Sequence, residues 1–151
     1  MARSAAAKKN ARPVRTGYIL DEQIGFILRM VSQRHAAIFA REIGTNLTPT
    51  QWAALSKLAE TGPCSQNLLG RLTAMDVATI KGVIDRLTAR GLTETGPDPD
   101  DGRRLLVSLS RAGQQLAEKI APNAIAISKE TLAPLDAKER ETLFTLLNKL
   151  R

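Results

Sequence analysis

Histidine, cysteine and aromatic residues are almost missing from this 151-residue sequence: one His, one Cys, one Trp, one Tyr and three Phe. His35 and Cys64 lie far apart in the chain, so the sequence offers no catalytic triad and no metal-binding quartet. Neither GxxxxGK(S/T) nor GxGxxG occurs, which removes two common phosphate-binding loops. No enzyme activity, cofactor or metal site is therefore expected. A lone Cys64 cannot form an intrachain disulfide, which fits a reducing compartment. No run of about 18 apolar residues is present, so no membrane span is expected. The basic, Ala-rich start lacks the apolar core of a secretory signal. The reading is a cytoplasmic protein.

What is present is a chain long enough for one domain with a real core. Hydrophobic residues make up 43%, drawn mainly from Ala, Leu and Ile, which suits a helical protein. The formal charge is +7 and unevenly spread. Residues 1–17 hold Arg3, Lys8, Lys9, Arg12 and Arg15 and no acid, while residues 18–151 set 17 basic against 15 acidic residues. Polyanion binding must then come from local patches or from the arm. Residues 1–17 read as a disordered basic arm, either a solubilising tail or a tracker of phosphates.

Apolar residues from Leu20 to Phe39 recur at 3/4 spacing, predicting one long helix over 18–43, with Asp21 and Glu22 near its start. Thr48-Pro49 caps and opens a second helix that carries Trp52, Leu55 and Leu58 and stops at Gly62-Pro63. Ser65 caps a short helix with Leu68, Leu69 and Leu72 facing inward. Thr73-Ala74 links it to a further helix, which ends at Arg90-Gly91. Two short helices and a tight turn before a longer one give helix-turn-helix organisation. Leu92 to Thr95 and Arg104 to Leu109 are expected to pair as antiparallel strands. Ser110 caps a long helix to about Ala133, with Leu116, Ile120, Ile125 and Ile127 apolar and Pro122 kinking it. Asp136 and Glu139 form a capping box for the last helix, with Leu143, Leu146, Leu147 and Leu150 on one face.

The helix after Thr73-Ala74 has an unusual composition. Val77, Ile80, Ile84 and Leu87 mark a core face. The opposite side carries Ala78, Gly82, Asp85 and Ala89, flanked by Thr79, Lys81 and Arg86. Small residues let another surface approach the backbone, and the longer ones can reach phosphates or base edges. The plainer alternative is a solvated helix with an incidental Gly. The neighbouring tip, Pro97 to Arg104, is too polar and turn-rich to be core. There Asp101 can accept bonds from backbone N–H groups or from Arg103, and Arg103 and Arg104 project charge. Alone the tip reads as a surface turn. Beside a small-faced helix it reads as a wing that reaches DNA backbone or minor groove.

The segments LTPTQWAALSKL (Leu47 to Leu58), ATIKGVIDRLTARGL (Ala78 to Leu92) and DPDDGRRLLVSLSRAG (Asp98 to Gly113) together resemble the MarR family of bacterial winged-helix regulators. Asp101, Arg103, Leu109, Ser110 and Gly113 fill the most specific part of the family pattern. Thr95 departs from it, since the family usually has Arg there. The resemblance covers about Ile19 to Arg151. It implies a mainly α winged helix-turn-helix protein with a two-stranded β wing. The DNA-binding lobe would span about 47–110, and a dimerisation region about 18–44 and 111–151. It further implies a homodimer on palindromic double-stranded operator DNA, usually a repressor. Such proteins are released by small aromatic or anionic effectors, or in some members by cysteine oxidation. Tyr18 to Phe39 is similar to a subgroup linked to aromatic-acid catabolism, some of whose members sense aromatic acyl-CoA thioesters.

The expected DNA-binding set is Ser65 and Gln66 at the start of the short helix, Ala78, Thr79, Lys81, Gly82 and Arg86 on the next, and Asp101, Arg103 and Arg104 on the wing. For the effector, His35 and Trp52 are candidates whose plainer reading is core packing. Arg29 and Arg34 are candidates to meet a carboxylate, or else belong to a solvated face. Cys64, in a turn before a helix N-terminus, is a candidate redox group if that position lowers its pKa. An architectural DNA binder and a protein-binding winged helix remain as competing functions.

Overall fold

A computed structural model describes residues 16–151, so the basic arm lies outside them except for Thr16 and Gly17. Helices α1 (Ile24–Glu42), α2 (Pro49–Thr61), α3 (Gln66–Leu72) and α4 (Val77–Ala89) lead into strands β1 (Thr93–Pro97) and β2 (Leu105–Leu109). Helices α5 (Arg111–Thr131) and α6 (Ala137–Asn148) complete the chain. The class is the expected one, mainly α with a two-stranded antiparallel wing.

The helix starts are written in side-chain oxygens. Thr48 Oγ1 accepts from the Gln51 N–H at 3.2 Å while Gln51 Oε1 accepts from the Thr48 N–H at 3.0 Å. Asp136 and Glu139 repeat this capping box. Ser65, Asp76 and Ser110 each accept from the N–H three residues on. Each cap satisfies a donor that the helix leaves free, worth about 1 kcal/mol. The bond from Thr79 N–H also holds the Asp76 carboxyl below its ordinary pKa.

Two apolar clusters hold the elements together. In the lobe, Leu55, Leu58, Leu69, Ile80, Leu87 and Val107 pack among α2, α3, α4 and β2. Between α1 and α5, Ile38, Phe39, Ile43, Ile120 and Ile127 form a second cluster. Trp52 and Leu116 touch both, so the lobe and the long helices share a wall. Truncating any of the fully buried Leu residues to Ala would cost about 2–5 kcal/mol.

The structure corrects several expectations. The single helix over 18–43 is divided: a 3-10 turn, Leu20–Glu22, precedes α1, and Gln23 between them is extended. Gln23 Nε2 donates to the Ile19 carbonyl at 2.9 Å and ties off the turn. Asp21 and Glu22 therefore sit in the 3-10 turn and not in the first turn of α1. Pro122 does not break α5, which runs through it. It removes one backbone bond, while Ile120 and Ile127 on either side stay buried against α1. Asn123 Nδ2 donates to the Glu42 carbonyl at 2.9 Å and pins the end of α1 there. Leu68, Leu72, Val77, Leu105 and Ile125, all assigned inward-facing or alternating apolar positions, are exposed. Helical spacing locates a face, but the first turn of α4, the short α3 and the wing tip extend past what covers them. Val83, absent from the expected face of α4, is buried instead.

A broad apolar surface remains uncovered within the chain. On α1 it includes Ile24, Ile27, Leu28, Met30 and Val31, preceded by Tyr18, Ile19 and Leu20; on α6 it includes Phe144, Leu146 and Leu147, followed by Leu150. Arg140 Nε, donating to the Leu132 and Leu135 carbonyls at 3.2 and 2.9 Å, fastens the start of α6 to the end of α5. No helix among the described residues is long and apolar enough to cross a membrane.

Candidate nucleic-acid interface

Close backbone approach sets the angle between α3 and α4. Ala74 turns the chain with φ 53°, and the Met75 N–H donates to the Gly70 carbonyl at 2.9 Å. A Cβ on Gly70 would lie 3.1 Å from the Met75 carbonyl oxygen and 3.2 Å from Ile80 Cγ2, so the residue must stay small for α4 to seat. Ile80, Val83, Ile84 and Leu87 then face the core. Ala78, Thr79, Lys81, Asp85 and Arg86 are exposed, and Gly82 is half-buried, with Arg86 Nη1 lying 3.7 Å from where a Cβ would stand. The small-faced side is therefore a real surface. Lys81 is not free on it: Nζ pairs with Asp85 Oδ2 at 2.6 Å. Both side chains are well exposed, so breaking the pair costs at most about 1 kcal/mol. Ser65 and Gln66 are half-buried, Ser65 acting as the N-cap of α3.

The wing pairs Thr93 with Leu109, Thr95 with Val107 and Pro97 with Leu105. Cys64 adds a third edge, its N–H donating to the Val107 carbonyl at 3.1 Å and its carbonyl accepting from Val107 N–H at 2.8 Å. At the tip, Asp101 Oδ1 accepts the Arg103 backbone N–H at 3.1 Å, and the Asp101 carbonyl accepts the Arg104 N–H at 2.9 Å. Asp98 closes a second such turn onto Asp100. Of the two roles open to Asp101, the structure takes the backbone one. Arg103 and Arg104 are exposed, and no side-chain ion pair engages them among the described residues. Thr95 is exposed on β1.

The junction from wing to α5 gives a physical reason for Ser110 and Gly113. Ser110 Oγ donates to the Gly91 carbonyl at 2.6 Å and accepts the Gly113 N–H at 3.0 Å. A Cβ on Gly113 would stand 1.9 Å from the Leu92 carbonyl oxygen, so no other residue fits without moving the backbone.

The four effector candidates divide between places. His35 and Trp52 line one cleft of about 160 Å³ with Phe39, Pro49, Ala124, Ile127 and Ser128, where α1, α2 and α5 meet. His35 Nδ1 lies 2.8 Å from Thr131 Oγ1, which itself donates to the Ile127 carbonyl at 2.9 Å. With that hydroxyl proton committed, Nδ1 is the donor and Nε2 carries the imidazole's lone pair. Arg34 does not line the cleft but donates to the Thr131 and Glu130 carbonyls at 2.7 and 3.2 Å, capping α5. Arg29 stacks over the Phe26 ring at 5.4 Å near the chain start.

Cys64 is buried, and burial pushes its thiol pKa up. The lowering expected from a helix N-terminus does not occur, because desolvation in the lobe core outweighs it. The sequence reading passed over Asn67 and Arg71, which share a second cleft at the α3–α4 junction with Asp76, Ile80 and Val77, the last expected in the core. Asn67 and Arg71 are polar positions on a helix read for its leucines, so their alternation with Leu68, Leu69 and Leu72 was the available signal.

An α3–turn–α4 unit with a basic wing beside it defines a winged helix-turn-helix protein. The family model described as MarR family matches residues 45–104. The transcriptional repressor NicR of Pseudomonas putida is 40% identical over 89% of this chain and 86% of its own length. A probable transcriptional regulator from Pseudomonas aeruginosa of known structure is 62% identical, superposes with a TM-score of 0.85, and is matched over 88% of this chain and all of that one. BpsR of Bordetella bronchiseptica, whose DNA binding is regulated by 6-hydroxynicotinic acid, is 40% identical with a TM-score of 0.83, over 88% and 96% of the two chains. This chain belongs to the MarR family of DNA-binding transcriptional regulators.

Proposed function

We propose that the chain is a ligand-responsive repressor that binds a palindromic operator as a homodimer and is released by a small aromatic acid. The observation that carries this is the exposed small-residue face of α4 beside an arginine tip with no ion pair among the described residues. In this reading Ala78 and Gly82 admit the groove wall, and Thr79, Lys81 and Arg86 reach bases or phosphates. Ser65 and Gln66 meet the backbone at the start of α3. Asp101 shapes the tip, and Arg103 and Arg104 lie on backbone or minor groove. The lobe spans about 47–110, and the dimer forms from about 18–44 and 111–151. The uncovered apolar surfaces of α1 and α6 support that assembly, since a second copy is the simplest cover for both. Two-fold symmetry places the α4 helices about 34 Å apart, one turn of DNA.

The effector reading rests on the cleft at His35 and Trp52. A cavity of about 150 Å³ holds a benzene-sized ring, so this cleft suits a single-ring acid and is short of a CoA thioester. The relationship to BpsR points the same way. Trp52 and Phe39 bound the ring, and the His35 imidazole meets the carboxylate. Arg34 acts indirectly by holding Thr131, the partner of His35. The ligand releases DNA because it binds better to a dimer whose lobes are wrongly spaced for two adjacent grooves.

The test is a titration of 6-hydroxynicotinic acid, related pyridine and benzene carboxylates, and aromatic acyl-CoA thioesters. Thermal unfolding and operator release are read in parallel. A single-ring acid at 100 times its dissociation constant should stabilise the fold by about 2.7 kcal/mol and release the operator. The effect should weaken in His35→Ala and Trp52→Ala. Release by a thioester with no response to any acid would overturn the single-ring reading.

A further inference from the structure

Val77 is the first residue of α4 and is 68% exposed. Its position on the helix explains both the expectation of burial and its failure. At 3.6 residues per turn, Val77 lies about 40° from Lys81 and about 20° from Ile84. It therefore stands on the border between the buried arc and the exposed one. Ile84 is buried in the lobe, whereas Val77, at the leading end of the helix, is left exposed. Asp76 fixes it there, since its carboxylate caps the helix at the Thr79 N–H, 2.7 Å away. The residue shares a cleft with Asn67 and Arg71 of α3. It is remote from the apolar surfaces of α1 and α6, because α4 packs on α2, α3 and β1.

We infer that Val77 is a specificity-determining residue that reads the 5-methyl group of a thymine in the major groove. Thymine is the base that presents an apolar group there, and apolar side chains are what recognise it. A branched side chain with two methyl groups, stiff about χ1, offers that contact at small entropic cost. Asn67 and Arg71, on the opposite wall of the cleft, supply polar groups for the phosphates of the same strand. The inference rests on the proposed placement of α4 in the major groove and adds a base preference to it.

The experiment starts from operator sequences selected out of a random duplex pool by the full chain. Each thymine of the recovered half-site is then replaced by deoxyuridine, which removes the methyl group and leaves base pairing intact. Wild-type protein should lose about fourfold in affinity per half-site at one thymine position, the ratio corresponding to one buried methyl-sized group. Val77→Ala should bind the thymine and uracil operators equally, with its thermal midpoint near wild type because the side chain is exposed. Val77→Thr, of the same shape, should fall between them. The inference is overturned if no thymine is sensitive, if Val77→Ala keeps the full sensitivity, or if the pool yields no enriched sequence. Thr79→Ala and Arg86→Ala serve to separate the two levels. If they also leave affinity and selected sequence unchanged, the placement of α4 fails. If they alter either while Val77→Ala behaves as wild type, only the role of Val77 fails.

Discussion

At the scale of single residues, charge acts locally in this chain. The basic and acidic residues of 18–151 nearly balance, so the proposed DNA contact falls to Arg103 and Arg104 on a tip that Asp101 holds in shape. Arg103→Ala should weaken DNA binding about equally across sequences and lower the slope of log affinity against log salt by about 1. Fluorescence anisotropy over a salt series measures both, and an unchanged slope would remove Arg103 from the contact. The Asp101 turn was legible in the sequence because Asp-Gly turn chemistry is local. The state of Cys64 was not, because its environment comes from residues 43 positions away across the β2 bridge. Burial raises its pKa, so the unfolded chain ionises first. Stability tied to Cys64 is then complete below the unfolded thiol pKa, about 8.5, and is lost as pH rises through the higher folded value. A thiol reagent at neutral pH should label Cys64 slowly in native protein and rapidly in urea. Equal rates would show an exposed, reactive thiol and return the redox reading.

At the scale of elements, the joints are more demanding than the helices. Caps and 3/4 spacing made every helix of the lobe readable, along with both strands. Which apolar residues ended inside was less readable. Leu68, Leu72 and Val77 have the spacing of core residues, but coverage depends on where the next element ends, and no local pattern encodes that. Gly113 is the opposite case, a residue whose role in the pattern has one steric reason. Gly113→Ala should cost about 3 kcal/mol or more, because its Cβ meets backbone rather than a side chain that can swing away. Urea unfolding measures it, and a loss under about 1 kcal/mol would mean that α5 and β1 are less tightly joined than the structure has them. The 3-10 turn before α1 was hidden because Gln23, a good helix former, uses its side chain to end the turn instead.

At the scale of the whole molecule, the lobe is complete in itself and the long helices are not. The buried clusters draw on the lobe, α1 and α5, yet α6 and much of α1 present apolar side chains outward. Leu147→Glu should therefore yield monomers at concentrations where the wild type is dimeric, and should lose operator affinity with the lobe still folded. Sedimentation and circular dichroism together report this, and a persistent dimer would move the interface elsewhere. In the proposed function a dimer also decides specificity, since one lobe would read half a site and the pairing would multiply the two readings. The central claim is sequence-specific binding by two copies of a helix and wing. It is tested most directly by titrating the full chain against its selected palindrome and against a scrambled duplex of equal length at physiological salt. The account predicts a preference of about 1,000-fold or more with two chains per palindrome. Equal affinity for both duplexes, governed only by salt, would contradict it.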